Sequence, residues 1–132
     1  MSLQFSLSGS ENRAPDNVRD VIIVGSGPAG YTAAMYASRA HLDTLVVTGN
    51  EIGGQVATTW EVDNYPGFPE GLTGPELVER MQKQAERFGA RFEMDLITAV
   101  NLGERPFTLT GYNGEYKTRA LVIATGASPR KL

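Results

Sequence analysis

The apolar run Val21-Ile22-Ile23-Val24 leads directly into Gly25-Ser26-Gly27-Pro28-Ala29-Gly30, and an alanine-rich stretch follows to Ala40. A G-x-G-x-x-G turn between a buried strand and a helix is the turn of a nucleotide-binding βαβ unit. Each glycine has its own physical reason. Gly25 lets the chain leave the strand through a conformation that a β-carbon opposes. Gly27 removes a side chain where the backbone has to approach phosphates, and Gly30 lets the helix pack close to the strand. Pro28 suits the first helical turn, where its missing N–H has no intrahelical partner. The free N–H groups of that turn and the positive end of the helix dipole then favour an anion, here a dinucleotide's pyrophosphate.

The rest of the chain extends this unit. Residues 20–24 read as a first parallel strand, 28–40 as a helix and 44–48 as a second strand, joined right-handedly. From 49 to 74 the periodicity disappears and Gly53-Gly54, Pro66-Gly67, Pro69, Gly71 and Gly74 recur. Trp60, Tyr65 and Phe68 argue against disorder there, and a ligand-wrapping loop is the reading that fits. A second helix is expected from Gly74 to Phe88, with Leu77, Met81, Ala85 and Phe88 on one face and Gly89 ending it. Residues 91–94 read as a third strand, and 97–102, 107–110 and 115–119 as a small antiparallel meander. Residues 120–124 read as a last apolar strand. The fold class is α/β: a Rossmann-like domain in three layers (ββα), with a parallel sheet and a small antiparallel β-meander, expected to be incomplete at its C-terminus.

At 132 residues the chain has the size of one domain, and 41% hydrophobic with 20% charged residues is a soluble globular balance. A net charge of −3 gives no electrostatic footprint for nucleic acid, and no apolar run reaches membrane-spanning length. There is no cysteine and a single histidine, His41, which excludes disulfides, thiol nucleophiles and multi-histidine metal sites within these residues. His41 reads as a solvated helix end rather than a catalytic base. Arg80, Lys83, Arg87 and Arg91, interleaved with Glu76, Glu79 and Glu86, read as a solvated face with ion pairs. Residues 1–18 read as a flexible leader with neither a secretory signal nor a transit pattern, which makes the cytoplasm the default location.

The glycine turn alone leaves NAD, NADP and FAD open. An acidic residue near the end of the second strand would hold a ribose hydroxyl. Glu51 is the candidate, after Thr48-Gly49-Asn50.

Longer stretches carry a resemblance. Val24 through Ala34, Gly53-Gly54-Gln55, Thr58-Thr59-Trp60-Glu61-Val62-Asp63-Asn64-Tyr65-Pro66-Gly67, Leu72-Thr73-Gly74-Pro75-Glu76-Leu77 and Ala124-Thr125-Gly126-Ala127-Ser128 resemble, in register, low-molecular-weight thioredoxin reductases. The similarity runs from about residue 19 to residue 132. It implies that Gly25, Ser26, Gly27, Pro28, Ala29 and Gly30 contact the pyrophosphate of FAD. Thr48, Gly49, Asn50, Glu51, Gly53, Gly54 and Gln55 would wrap the adenosine, diphosphate and ribityl parts. Asn64 would lie near the flavin ring; Trp60, beside that loop, reads either as a shield for the ring or as a surface-packing residue. Ile97 would meet adenine through its backbone, and Ala124, Thr125 and Gly126 would line the cofactor. The resemblance also implies NADPH as reductant, bound in a separate domain that also carries a Cys-x-x-Cys pair. It implies thioredoxin as protein substrate and a homodimer. Neither the cysteine pair nor the NADPH domain falls in these residues, so the chain alone is expected to be inactive. Two functional classes follow: the FAD-binding portion of a disulfide reductase, or a stand-alone, non-catalytic flavin- or nucleotide-binding module.

Overall fold

The computed structural model describes residues 17–127 and Arg130. The expected leader (1–18) lies almost wholly outside them, as does Ser128. The elements are β1 (Val18–Val24), α1 (Pro28–Arg39), β2 (Thr44–Val47), a 3₁₀ turn (Gly54–Thr58), α2 (Gly74–Arg87), β3 (Arg91–Glu93), β4 (Ile97–Asn101), β5 (Phe107–Gly111) and β6 (Gly114–Ile123). They build a six-stranded mixed sheet in the order β3-β2-β1-β6-β5-β4. β1 pairs parallel with β2 on one side and with β6 on the other, and β4, β5 and β6 pair antiparallel.

Alternation along β1 divides the core in two. Val21 and Ile23 face α1 and α2, packing with Ala34, Val46, Ala85 and Ala90. Ile22 faces the other way and packs with Leu45, Val47 and Leu109. A strand covered on both faces has to be apolar at consecutive positions, which is what residues 21–24 show. The small residues of α1, Ala33, Ala34 and Ala37, let the helix lie close to the sheet.

Leu109 shows how the meander is placed. It sits opposite Tyr116 on β6, whereas Ile22 sits opposite Leu121. Those positions are about 16 Å apart along a flat strand at roughly 3.3 Å per residue. Leu109 and Ile22 nevertheless share one core, to which Ile97, Tyr116 and Leu121 also pack, so the meander contributes to the second face of the sheet. The result is the expected α/β arrangement of helices, parallel sheet and meander.

Three details differ from the sequence expectation. Residues 115–119 and 120–124 form one 10-residue strand rather than two, because β6 serves both the meander and the parallel sheet. β1 starts at Val18, which is buried. The irregular segment contains the 3₁₀ turn and an antiparallel bridge between Val62 and Leu72.

On α2 the buried residues are Gly74, Leu77, Val78 and Ala85, while Met81 and Phe88 are half-buried. Phe88 ends the helix, with the guanidinium groups of Arg39 and Arg87 at 5.5 and 4.9 Å from its ring centre. His41 is exposed and contributes backbone rather than imidazole. At φ 65° its N–H donates to the Ser38 carbonyl, in the left-handed position that commonly closes a helix.

Candidate functional site

The C-terminal ends of β1, β2 and β6 open onto a groove of about 420 Å³. Its floor is the glycine turn. Gly25 has φ 117°, and a β-carbon there would overlap the carbonyl oxygen of Ala124. The left-handed backbone and the crossing of β6's end both require glycine. Gly30 lies beneath the groove rather than in its wall, where a β-carbon would overlap the Gly25 carbonyl oxygen.

Gly27 differs from both. Its φ of −83° and ψ of −173° are open to any residue, and the nearest atom to a β-carbon is Gly54 Cα at 3.9 Å. Conformation does not demand glycine here. Its missing side chain keeps the groove clear.

The two helices begin differently. At α2, Thr73 Oγ1 accepts the Glu76 N–H at 3.2 Å, and the Glu76 carboxylate accepts the Thr73 N–H at 3.0 Å. This capping box satisfies two of the helix's free donors. At α1 the capping position is Gly27, no side chain caps the helix, and the first ladder bond runs from the Tyr31 N–H to the Gly27 carbonyl. The N–H groups of Ala29 and Gly30 precede that bond. An uncapped N-terminus beside a groove is suited to an anion.

Ser26 fixes the turn. Its hydroxyl donates to the Thr48 carbonyl at 2.9 Å, and its own carbonyl accepts the Gly53 N–H at 2.9 Å. Gly53 therefore braces the turn from outside the groove, with a β-carbon position 3.1 Å from Val78 Cγ2. Gln55 spans the opening, its side-chain amide donating to the Ala127 carbonyl at 2.8 Å. Beneath the turn, Tyr31 is buried, and burial is the main cause holding its phenol above the ordinary value.

The structure brings most of the sequence candidates together. Gly25, Ser26, Gly27, Pro28, Ala29, Thr48, Gly49, Asn50, Glu51, Gly54, Gln55, Ile97, Ala124, Thr125 and Gly126 line one groove. Gly30 and Gly53 support it from behind. Asn64 lies apart, in a shallow hollow made by residues 63–69. Trp60 is 77% exposed. Val24, Val56, Asp95, Leu96 and Ala127 complete the wall and were not candidates. Val24, Val56 and Ala127 adjoin the candidates Gly25, Gln55 and Gly126, so neighbourhood could have found them. Asp95 carried no local signal.

Among the described residues no group of His, Cys, Asp and Glu could hold a metal ion, and no helix is long and apolar enough to cross a membrane.

The chain is 57% identical over 112 residues to a thioredoxin reductase of Coxiella burnetii, covering 85% of this chain and 35% of that protein. It is equally similar, over the same shares, to a glucosaminate ammonia-lyase of Pseudomonas fluorescens. A solved thioredoxin reductase from Gloeobacter violaceus superposes with a TM-score of 0.82 at 38% identity, over 88% of this chain and 39% of that one. The chain thus spans about a third of the length of the curated relatives it matches. The family model of pyridine nucleotide-disulphide oxidoreductases matches residues 19–132, which take in the glycine turn, the groove and the meander, and the chain belongs to that family.

Proposed function

We propose that these residues form the FAD-binding portion of an NADPH-dependent reductase that passes electrons to a disulfide and on to thioredoxin. The observation that carries this reading is Gly27, a glycine that neither backbone conformation nor packing requires, at the uncapped start of α1. The residues fit a dinucleotide. A groove of about 420 Å³ is in the range of small-molecule sites, and glycine backbone and polar side chains such as Asn50, Glu51 and Gln55 share its lining. The first-turn N–H groups of α1 would hold the pyrophosphate. Asn50 and Glu51, which line the groove just past β2, would meet the ribose of the adenosine half. Gly54 faces Gly27 across the floor, its β-carbon position 3.2 Å from Gly27 Cα, so backbone alone forms that part of the cradle.

FAD bound in this groove supplies the two-electron chemistry that links NADPH to a disulfide. The contribution of these residues is to bind and orient it. No cysteine lies among the 132 residues, so on this reading the thiol pair would come from outside them. The thioredoxin reductases among the relatives support thioredoxin as the substrate, and a homodimer in the cytoplasm completes the proposal.

The test is to purify the full-length protein, release its cofactor by heat and identify it chromatographically, then assay NADPH-dependent reduction of thioredoxin. One FAD per chain with thioredoxin turnover is expected. Protein that carries no flavin, or a flavoprotein inert toward thioredoxin, contradicts the corresponding half of the proposal.

A further inference from the structure

Asp95 lies between β3 and β4, outside every sequence motif, and is only 6% exposed. Its Oδ1 accepts the N–H groups of Leu96 at 2.7 Å and Tyr112 at 2.9 Å. Its Oδ2 accepts the Asn113 N–H at 3.2 Å and the Tyr116 hydroxyl at 2.6 Å. Its backbone carbonyl accepts the Gly49 N–H at 2.8 Å. Gly111 makes room for this carboxylate, since a β-carbon there would overlap it. One aspartate thus ties together the exit of β2, the entry to β4, the β5–β6 turn and β6 itself.

Those connections meet at one end of the groove. The glycine turn marks where the pyrophosphate belongs, and the adenosine half of a dinucleotide extends toward the end of the second strand. Gly49 leaves that strand, and Asp95 holds it. Leu96 and Ile97, which follow Asp95, line the groove there. We propose that Asp95, braced by Tyr116, is the positioning residue for the adenylate end of the site, fixing the Leu96–Ile97 wall and so setting the preference for FAD over FMN. This rests on the FAD reading above.

The test uses the full-length protein stripped of flavin, titrated with FAD, ADP and FMN. Asp95→Asn replaces one acceptor oxygen with an amide that faces donors. It is expected to weaken FAD and ADP by about tenfold or more, the scale of one charge-assisted hydrogen bond, and to leave FMN unchanged. Tyr116→Phe removes one hydroxyl, should give the same pattern with a smaller loss, and carries the test if Asp95→Asn does not fold. Unchanged FAD affinity in the variants, or FMN weakened as much as FAD, overturns the role of Asp95 alone. Wild-type protein that binds neither FAD nor ADP overturns the cofactor reading and this proposal with it.

Discussion

A β-carbon at Gly30 would overlap the Gly25 carbonyl and come within 3.7 Å of Ile23 Cγ2, while one at Gly27 would project toward the groove. Gly30→Ala should therefore cost stability, about 1–3 kcal/mol as for other overpacked sites. A urea midpoint unchanged from wild type would contradict the close helix–strand contact. Asp95 supplies a pH-dependent term. Its carboxyl is held below the ordinary value of 3.8, first by the Tyr116 hydroxyl and then by backbone N–H groups. The unfolded chain takes up that proton at a higher pH than the folded one, so this stabilisation is complete above the ordinary value. It is lost as pH falls through the window below it. Glu76 acts in the same direction through its bonds with Thr73. Urea midpoints measured from pH 7 to pH 3 should fall less steeply in Asp95→Asn than in wild type. Parallel profiles would show that Asp95 makes no such contribution.

α2 carries a full capping box and α1 none, so side-chain capping should matter at one helix start only. Thr73→Ala is expected to cost about 1 kcal/mol, read as a lower urea midpoint. No change would mean that the Gly74–Arg87 start is held by packing instead. The elements nearest the glycine turn were legible because local chemistry specifies them: β1 by its consecutive apolar residues, α1 by Pro28 and its alanines, α2 by its apolar face and Gly89. β6 was read as two strands because its composition changes at Ala120 from polar to apolar. The change instead marks where one continuous strand passes from pairing with β5, which ends at Thr118, to pairing along β1 as far as Ile123. Asp95 was not legible for a related reason. Its partners Tyr112, Asn113 and Tyr116 come from the distant β5–β6 turn, and no spacing near Asp95 announces them. Val78 was missed on α2 because it lies beside Gly53 of the irregular segment, which the helical period of α2 does not announce.

At the scale of the molecule, β6 runs on along β1 past the end of β5 and so presents an edge. β5 pairs with β6 only as far as Thr118, and beyond it Val122 and Ile123 are 37% and 65% exposed. Edges that combine backbone donors with apolar side chains invite pairing. The 132 residues alone are expected to associate in sedimentation experiments and to show no NADPH-dependent disulfide reduction. A strict monomer would mean that this edge is protected, and turnover of thioredoxin free of contaminating reductase would contradict the placement of the thiols elsewhere. The central claim is that the groove above Gly27 holds FAD. The most direct measurement is an FAD titration of full-length, flavin-free protein, followed by quenching of flavin fluorescence, in wild type and Gly27→Val, with circular dichroism on both. The account predicts stoichiometric quenching by wild type and none by Gly27→Val, whose circular dichroism matches wild type. Normal FAD binding by a folded Gly27→Val protein would contradict it.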